Sequence, residues 1–243
     1  MLWLPRPMAK YDGADAPAGR THCYDAQSSF GADCGTTGLL GPITKMTLSE
    51  FGNLAVGDAP VVLLEGRRAI PEYDASEARA FAARLAREFV CLRFRSGNAE
   101  GSDEAFSAGV AEVDASRLQV IAPYATHRQK VRYADALYSS PESLSKVQET
   151  AIMEATVAAT PRNANVVYKR TGSPKLAAKA SYLIRDTMKV LGHSEEFGPP
   201  VCGLFYIDLS DPEAGGTGHT IRVCRQHGIP VAFQDSWMNW FAP

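Results

Sequence analysis

Residues 60–71 read Pro60-Val61-Val62-Leu63-Leu64-Glu65-Gly66-Arg67-Arg68-Ala69-Ile70-Pro71. A short, uniformly apolar run is what a strand buried on both faces requires, and Gly66 marks where it gives way to a loop. Downstream, Ala78, Phe81, Ala82, Leu85 and Phe89 recur at helical spacing across Ser76 to Glu88, and Asp74 or Ser76 can cap that helix. Phe89 to Phe94 predicts a second strand, Ser102 to Glu112 a second helix, and Leu118 to Ala122 a third strand ended by Pro123.

A long helical insert follows, at about 124–192. Ser140-Pro141-Glu142 aligns a cap, a first-turn proline and a first-turn acid, ahead of a stripe through Leu144, Val147, Ala151, Ala155 and Ala158. Ser173-Pro174 repeats that start, and Leu176, Ala180, Leu183, Ile184, Thr187 and Leu191 carry a second stripe to Gly192. Val201 to Ile207 predicts the fourth strand, Thr217 to His227 a helix stopped by Gly228, and Ile229 to Phe233 the last strand. Apolar strands alternating with helices predict a Rossmann-like open α/β fold, its mainly parallel sheet covered by helices on both faces. That domain is expected at 58–243. Residues 1–57, rich in Gly, Ala, Asp, Ser and Thr, predict an irregular N-terminal extension with a short helix near Leu48 to Phe51.

The chain has 243 residues, 45% hydrophobic and 21% charged, with a formal net charge of −2. Such a balance excludes disordered and fibrous classes and blanket electrostatic binding to nucleic acid or membrane, though not a local basic face. No apolar stretch reaches the roughly 20 residues that a bilayer-spanning helix needs. The opening Met1-Leu2-Trp3-Leu4-Pro5-Arg6-Pro7 lacks the layout of a signal peptide, so a cytoplasmic protein is expected. Of the five cysteines, Cys91, Cys202 and Cys224 lie in apolar segments and read as buried free thiols. His22, Cys23 and Cys34 form the one loose grouping, too dispersed for zinc, so no metal and no cofactor is expected.

Ligands of open α/β folds sit at the carboxyl ends of the strands, against helix N-termini. Three junctions there are rich in glycine: Glu65 to Pro71, Arg95 to Asp103 and Asp211 to Thr220. Their glycines admit close backbone approach, and the amides that open the following helices favour an anion. Ser96, Thr217 and Thr220 add hydroxyls, and Arg67 a forked cation suited to phosphate. Each junction alone reads equally as a tight turn; together they point to a phosphate-bearing ligand. Gly215-Gly216-Thr217-Gly218 is not G-x-G-x-x-G, and there is no G-x-x-x-x-G-K-[ST], which disfavours NAD redox chemistry and ATP hydrolysis.

These motifs, in this order, resemble the SLOG superfamily over roughly residues 60–235, closest to the phage and bacterial branch typified by the DprA/Smf Rossmann domain. The shared features are Gly66-Arg67-Arg68-Ala69-Ile70-Pro71, Arg95 to Phe106, Gly215 to Thr220 and Gly228-Ile229-Pro230-Val231. The resemblance implies a pocket for a nucleotide, a nucleotide-derived ligand or single-stranded DNA. It implies ligand contacts from Gly66 and Arg67, from Ser96, Gly97, Asn98, Ala99, Gly101 and Asp103, from Arg185, and from Gly215, Gly216, Thr217 and Gly218. The chain departs from the pattern in three ways. Gly66-Arg67 lacks an intervening serine, Asn98 and Ser102 stand for Gly and Ala, and Arg185-Asp186 stands where R-N is typical. A carboxylate at 186 would repel a phosphate.

A related branch, the phosphoribohydrolases, carries a catalytic Glu in G-G-x-G-T-x-x-E. Here His219 falls at its Thr and Arg222 at its Glu, and an arginine cannot perform carboxylate acid–base work. Asp103 and Glu100 remain candidates for catalysis, Asp103 reading equally as a helix-start acid. Glu65 reads as a rim residue, and His219 as a donor to ligand or a packed turn residue. Residues 160–189 hold seven basic side chains (Arg162, Lys169, Arg170, Lys175, Lys179, Arg185, Lys189) against Asp186, with Tyr168 and Tyr182 interleaved. That pattern suits single-stranded nucleic acid, or a solvated helix face. The expectation is therefore a nucleotide or single-strand binder without secure catalytic machinery and with room for homo-oligomerisation. The alternatives are a nucleotide N-glycosidase and an interaction protein with a vestigial pocket.

Overall fold

The computed structural model describes residues 45–242, all of them within one compact unit. The remainder of the expected N-terminal extension, and the grouping of His22, Cys23 and Cys34, lie outside the described residues. Six strands form one sheet: β1 (Val61–Gly66), β2 (Arg93–Ser96), β3 (Leu118–Ile121), β4 (Leu137–Ser139), β5 (Cys202–Tyr206) and β6 (Val231–Phe233), in the order β4-β3-β2-β1-β5-β6. Every neighbouring pair is parallel. The fold is an open α/β sheet flanked by helices. Sequence order runs outward from β1 in both directions, so the crevice beside the carboxyl end of β1 is a topological switch point.

The helices are α1 (Leu48–Leu54), α2 (Glu72–Glu88), α3 (Ser102–Asp114), α4 (Lys146–Ala159), α5 (Ala164–Tyr168), α6 (Pro174–Leu191), α7 (Gly215–Gln226) and α8 (Gln234–Trp237). Alternation along the strands divides the core. Val62 and Leu64 join Phe94, Val120 and Leu204 in a cluster with Phe81 and Leu85 of α2, Phe106 of α3 and Trp237 of α8. Leu63 and Phe205 face the other way, onto Val190 of α6 and Ile221 and Cys224 of α7. A third cluster places Ile121 against Ile152 of α4 and Ile184 and Met188 of α6.

Several boundaries differ from expectation, each for a local reason. Phe89 caps α2 and Val90-Cys91 turn outward, so β2 begins at Arg93 instead of Phe89. Cys91, in that turn, is disulfide-bonded, whereas Cys202 and Cys224 are buried free thiols. α2 starts at Glu72 with Pro71 in the cap position, and the Asp74 carboxylate accepts from the Tyr206 hydroxyl instead of capping the helix. Ser140-Pro141-Glu142 nucleates only a single 3-10 turn; α4 begins later, where Ser145 and Gln148 form a reciprocal capping box. β4 has no apolar run to announce it, being three half-buried edge residues. Among the described residues no helix is long and apolar enough to cross a membrane.

Residues 46–51 pack with the sheet domain. Thr47 and Glu50 form a capping box at the start of α1. Phe51, with no exposure, meets Phe89 edge-on at 5.1 Å and Trp240 at 4.9 Å. Trp240 Nε1 donates to the Met46 carbonyl at 2.8 Å. Phe51→Ala should therefore cost about 3–5 kcal/mol in urea unfolding. A loss under about 1 kcal/mol would show that α1 is peripheral to the core.

Candidate functional site

At the carboxyl ends of β1 and β5 lies a cleft of about 1070 Å³. Its walls come from the loop after β1 (Gly66, Arg67, Arg68), from Ile207 and Asp208 after β5, from the start of α7 (Gly215, Gly216, Thr217) and from α6 (Lys179, Tyr182, Arg185, Asp186). Glu65 and Asp103 line its inner end.

That inner end rests on buried charge. Lys189 Nζ lies 2.6 Å from Glu65 Oε2 and 3.0 Å from Asp186 Oδ1, and Arg185 Nε lies 2.9 Å from the same Asp186 oxygen. Thr220 Oγ1 donates to Glu65 Oε1 at 3.1 Å. Beside this group, fully buried Arg95 gives Nε and Nη2 to Gln119 Oε1 and Nη1 to the Lys189 carbonyl at 3.0 Å. Burial pushes the Glu65 carboxyl up to about 7. Burial would also raise Asp186, but Arg185 and Lys189 outweigh it and hold that carboxyl below its ordinary value.

Asp103 ties the loops together. Its carboxylate accepts from the amides of Gly66 (3.1 Å), Gly97 (3.2 Å) and Ala99 (3.3 Å), joining the ends of β1 and β2 at the start of α3. Ser102 Oγ adds a bond to the Arg67 carbonyl at 2.8 Å. Arg185 Nη1 donates to the Gly97 carbonyl at 2.6 Å, and a Cβ at Gly97 would stand only 1.8 Å from that nitrogen. Asn98 takes φ +55°, the left-handed region that asparagine tolerates better than most residues. Thr217 Oγ1 donates to the Gly66 carbonyl at 3.1 Å and docks α7 against β1.

The rim is basic. Arg67, Arg68, Arg162 and Lys179 are exposed, and Arg67 pairs loosely with Asp208 at 3.2 Å, both about half exposed. Tyr182 lies close to two guanidinium groups, with Arg68 Cζ 5.5 Å and Arg185 Cζ 5.7 Å from its ring centre.

Of the residues singled out in the sequence, Gly66, Arg67, Ala99, Asp103, Arg185, Gly215, Gly216 and Thr217 line this cleft. Ser96, Gly97, Asn98, Gly101, Glu100 and Gly218 do not. Ser96 is buried at the end of β2, Gly101 packs on the Arg68 carbonyl, and Gly218 packs on the Glu213 backbone. Asp103 is engaged by backbone amides on both oxygens. His219 does not reach the cleft: fully buried, it bonds Thr160 Oγ1 at 2.8 Å and Thr187 Oγ1 at 3.0 Å. Burial pushes its pKa down to about 4. Arg222 turns away to Thr160 and to the Ala159 and Glu213 carbonyls.

Glu65 is a buried floor residue and not a rim residue. The basic stretch 160–189 also reads differently in three dimensions. Arg185 and Lys189 are consumed internally and Arg170 pairs with Glu149, which leaves Arg162, Lys169, Lys175 and Lys179 exposed. Their helical positions carried one usable signal: Arg185 and Lys189 are one turn apart, with Asp186 between them, beside the predicted apolar stripe. Among the described residues no three His, Cys, Asp or Glu side chains group as metal ligands.

No protein-family model matches the chain, and no curated protein does. Among solved structures it is similar to DNA processing protein A from Helicobacter pylori, described there for its single-stranded DNA binding mode. The TM-score is 0.39 at 12% identity, over 74% of this chain and 67% of that one.

Two predictions follow the buried charge and the buried histidine. Lys189→Met leaves Glu65 and Asp186 without their shared cation and should cost about 3–5 kcal/mol, part of it recovered when Glu65→Gln is added. Equal costs for the single and double variants in urea unfolding would break the assignment. His219 has a folded-state pKa below its unfolded value, so its contribution is present above pH ~6.5 and is lost as pH falls toward ~4. From pH ~7.5 to ~4.5 wild type should lose about 2–3 kcal/mol more than His219→Gln. Parallel pH profiles would contradict this.

Proposed function

We propose that this protein binds a phosphate-bearing ligand of the nucleotide type, either a nucleotide or nucleotide-derived molecule or the backbone of single-stranded DNA, in the switch-point cleft. The observation that carries the reading is an exposed, forked cation, Arg67, on the basic rim of a switch-point cleft of about 1070 Å³. Among the described residues the Arg67 side chain is held only by a half-exposed pair with Asp208, which a phosphate can replace. Arg68 and Lys179 extend positive charge along the rim.

Ligand identity within this class turns on length. A mononucleotide fits the cleft volume. A single strand would need the exposed cations Arg162, Lys169, Lys175 and Lys179 as further phosphate contacts, and its affinity would fall steeply with salt. The N-glycosidase reading finds Arg222 where the phosphoribohydrolase motif has its carboxylate, and Asp103 engaged by three amides.

A panel of nucleotides in a thermal-shift assay tests the proposal. At saturating ligand a stabilisation of several degrees is expected. Arg67→Ala and Gly216→Asp should each abolish it. No response to any nucleotide or oligonucleotide, or a response indifferent to both changes, would overturn it. Release of free base from a nucleoside monophosphate would favour the enzyme.

A further inference from the structure

The cleft is zoned by charge. Its rim carries Arg67, Arg68, Arg162 and Lys179, whereas its inner end carries the carboxylates of Glu65, Asp103 and Asp186 against the cations of Arg185 and Lys189. Two of those carboxylates are occupied. Asp103 accepts three backbone amides, and Glu65 takes Thr220 on one oxygen and Lys189 on the other.

Asp186 is different. Only 2% of it is exposed, and both of its ion pairs fall on Oδ1. Its Oδ2 accepts no hydrogen bond among the described residues. A Cβ added at Gly216 would stand 3.1 Å from that oxygen, so it lies beside the opening turn of α7. The amides that begin a helix ordinarily make an anion site. Here a buried carboxylate lies next to that turn.

We infer that Asp186 selects which end of the ligand enters the cleft: it excludes phosphate from the start of α7 and accepts a hydrogen-bond donor there, a hydroxyl or an amino group, while phosphate stays at the Arg67 rim. This rests on the reading that the cleft takes a nucleotide-type ligand, and gives that ligand a direction. A phosphate at Gly216 would meet Asp186 in a site with little water to screen the repulsion. A sugar hydroxyl or an exocyclic amine would instead satisfy Oδ2 and leave the Lys189 and Arg185 pairs intact. Asp186 is thus a specificity-determining residue, not a catalytic one.

Amide NMR spectra of the full chain test this at Gly216 and Thr217, with three probes: inorganic phosphate, a mixture of the four ribonucleosides, and AMP. In wild type the ribonucleosides should shift both amides and inorganic phosphate should leave them unmoved. In Asp186→Asn, inorganic phosphate should shift them, with an affinity gain of roughly tenfold or more. Phosphate-induced shifts at these amides in wild type, or their indifference to ribonucleosides, would overturn the inference. Those two arms use wild type alone, so they decide the matter even if Asp186→Asn fails to fold. If AMP stabilises wild type but not Arg67→Ala while phosphate reaches Gly216 and Thr217, the direction is wrong and the binding function stands. If ribonucleosides reach Gly216 and Thr217 but the AMP response ignores Arg67→Ala, the direction stands and the phosphate site at the rim falls.

Discussion

One ammonium group governs the cleft edge of this protein. Lys189 lies without exposure between Glu65 on the central strand and Asp186 on its own helix. A charge removed from water costs several kcal/mol unless its partners are in place. α6 can therefore dock on the sheet in essentially one register, because a rotation by a single residue would carry Lys189 away from Glu65 and leave both buried and unpaired. Arg95 reinforces the same register from β2 by donating to the Lys189 carbonyl.

Other features of the site follow from that docking. With α6 held, Arg185 reaches the Gly97 carbonyl through space that a side chain at 97 would occupy. Asp103 then gathers the amides of Gly66, Gly97 and Ala99 and holds the loops after β1 and β2 in one arrangement. The cations left outside this network, Arg67 and Arg68 among them, stand at the rim because no buried carboxylate among the described residues claims them. The zoning of the cleft is thus a product of packing: charges needed for docking are inside, and the exposed ones are outside.

The sheet was legible in outline because buried parallel strands must be apolar on both faces, and Val61 to Leu64, Leu118 to Ala122 and Val201 to Ile207 meet that demand. Phe89 to Cys91 misled for the same reason. Phe89 is apolar because it packs on Phe51 and Val90 is exposed, so these residues form a helix end and a turn. β4 was silent, since an edge strand of three half-buried residues needs no apolar run. The caps Ser173 and Gly192 announced α6 correctly, whereas Ser140 yielded to the stronger reciprocal cap of Ser145 and Gln148.

The site was legible by loop and not by side chain. Glycine-rich junctions after apolar strands pointed to one edge of the sheet, and Gly66, Arg67, Asp103 and Gly215 to Thr217 do converge there. No linear pattern could tell that Lys189, in a run of exposed-looking basic residues, is wholly buried, or that Glu65 is its partner, 124 positions away. His219 and Arg222 occupy motif positions at a helix start, but the helix turns them onto Thr160 and Thr187, away from the cleft. Sequence alone determined the strand–helix alternation and the sheet edge at which the glycine-rich loops gather, because burial and chain reversal act on neighbouring residues. Which charges face the cleft was decided only by tertiary structure, because pairing a buried charge depends on partners that the chain brings together from far apart.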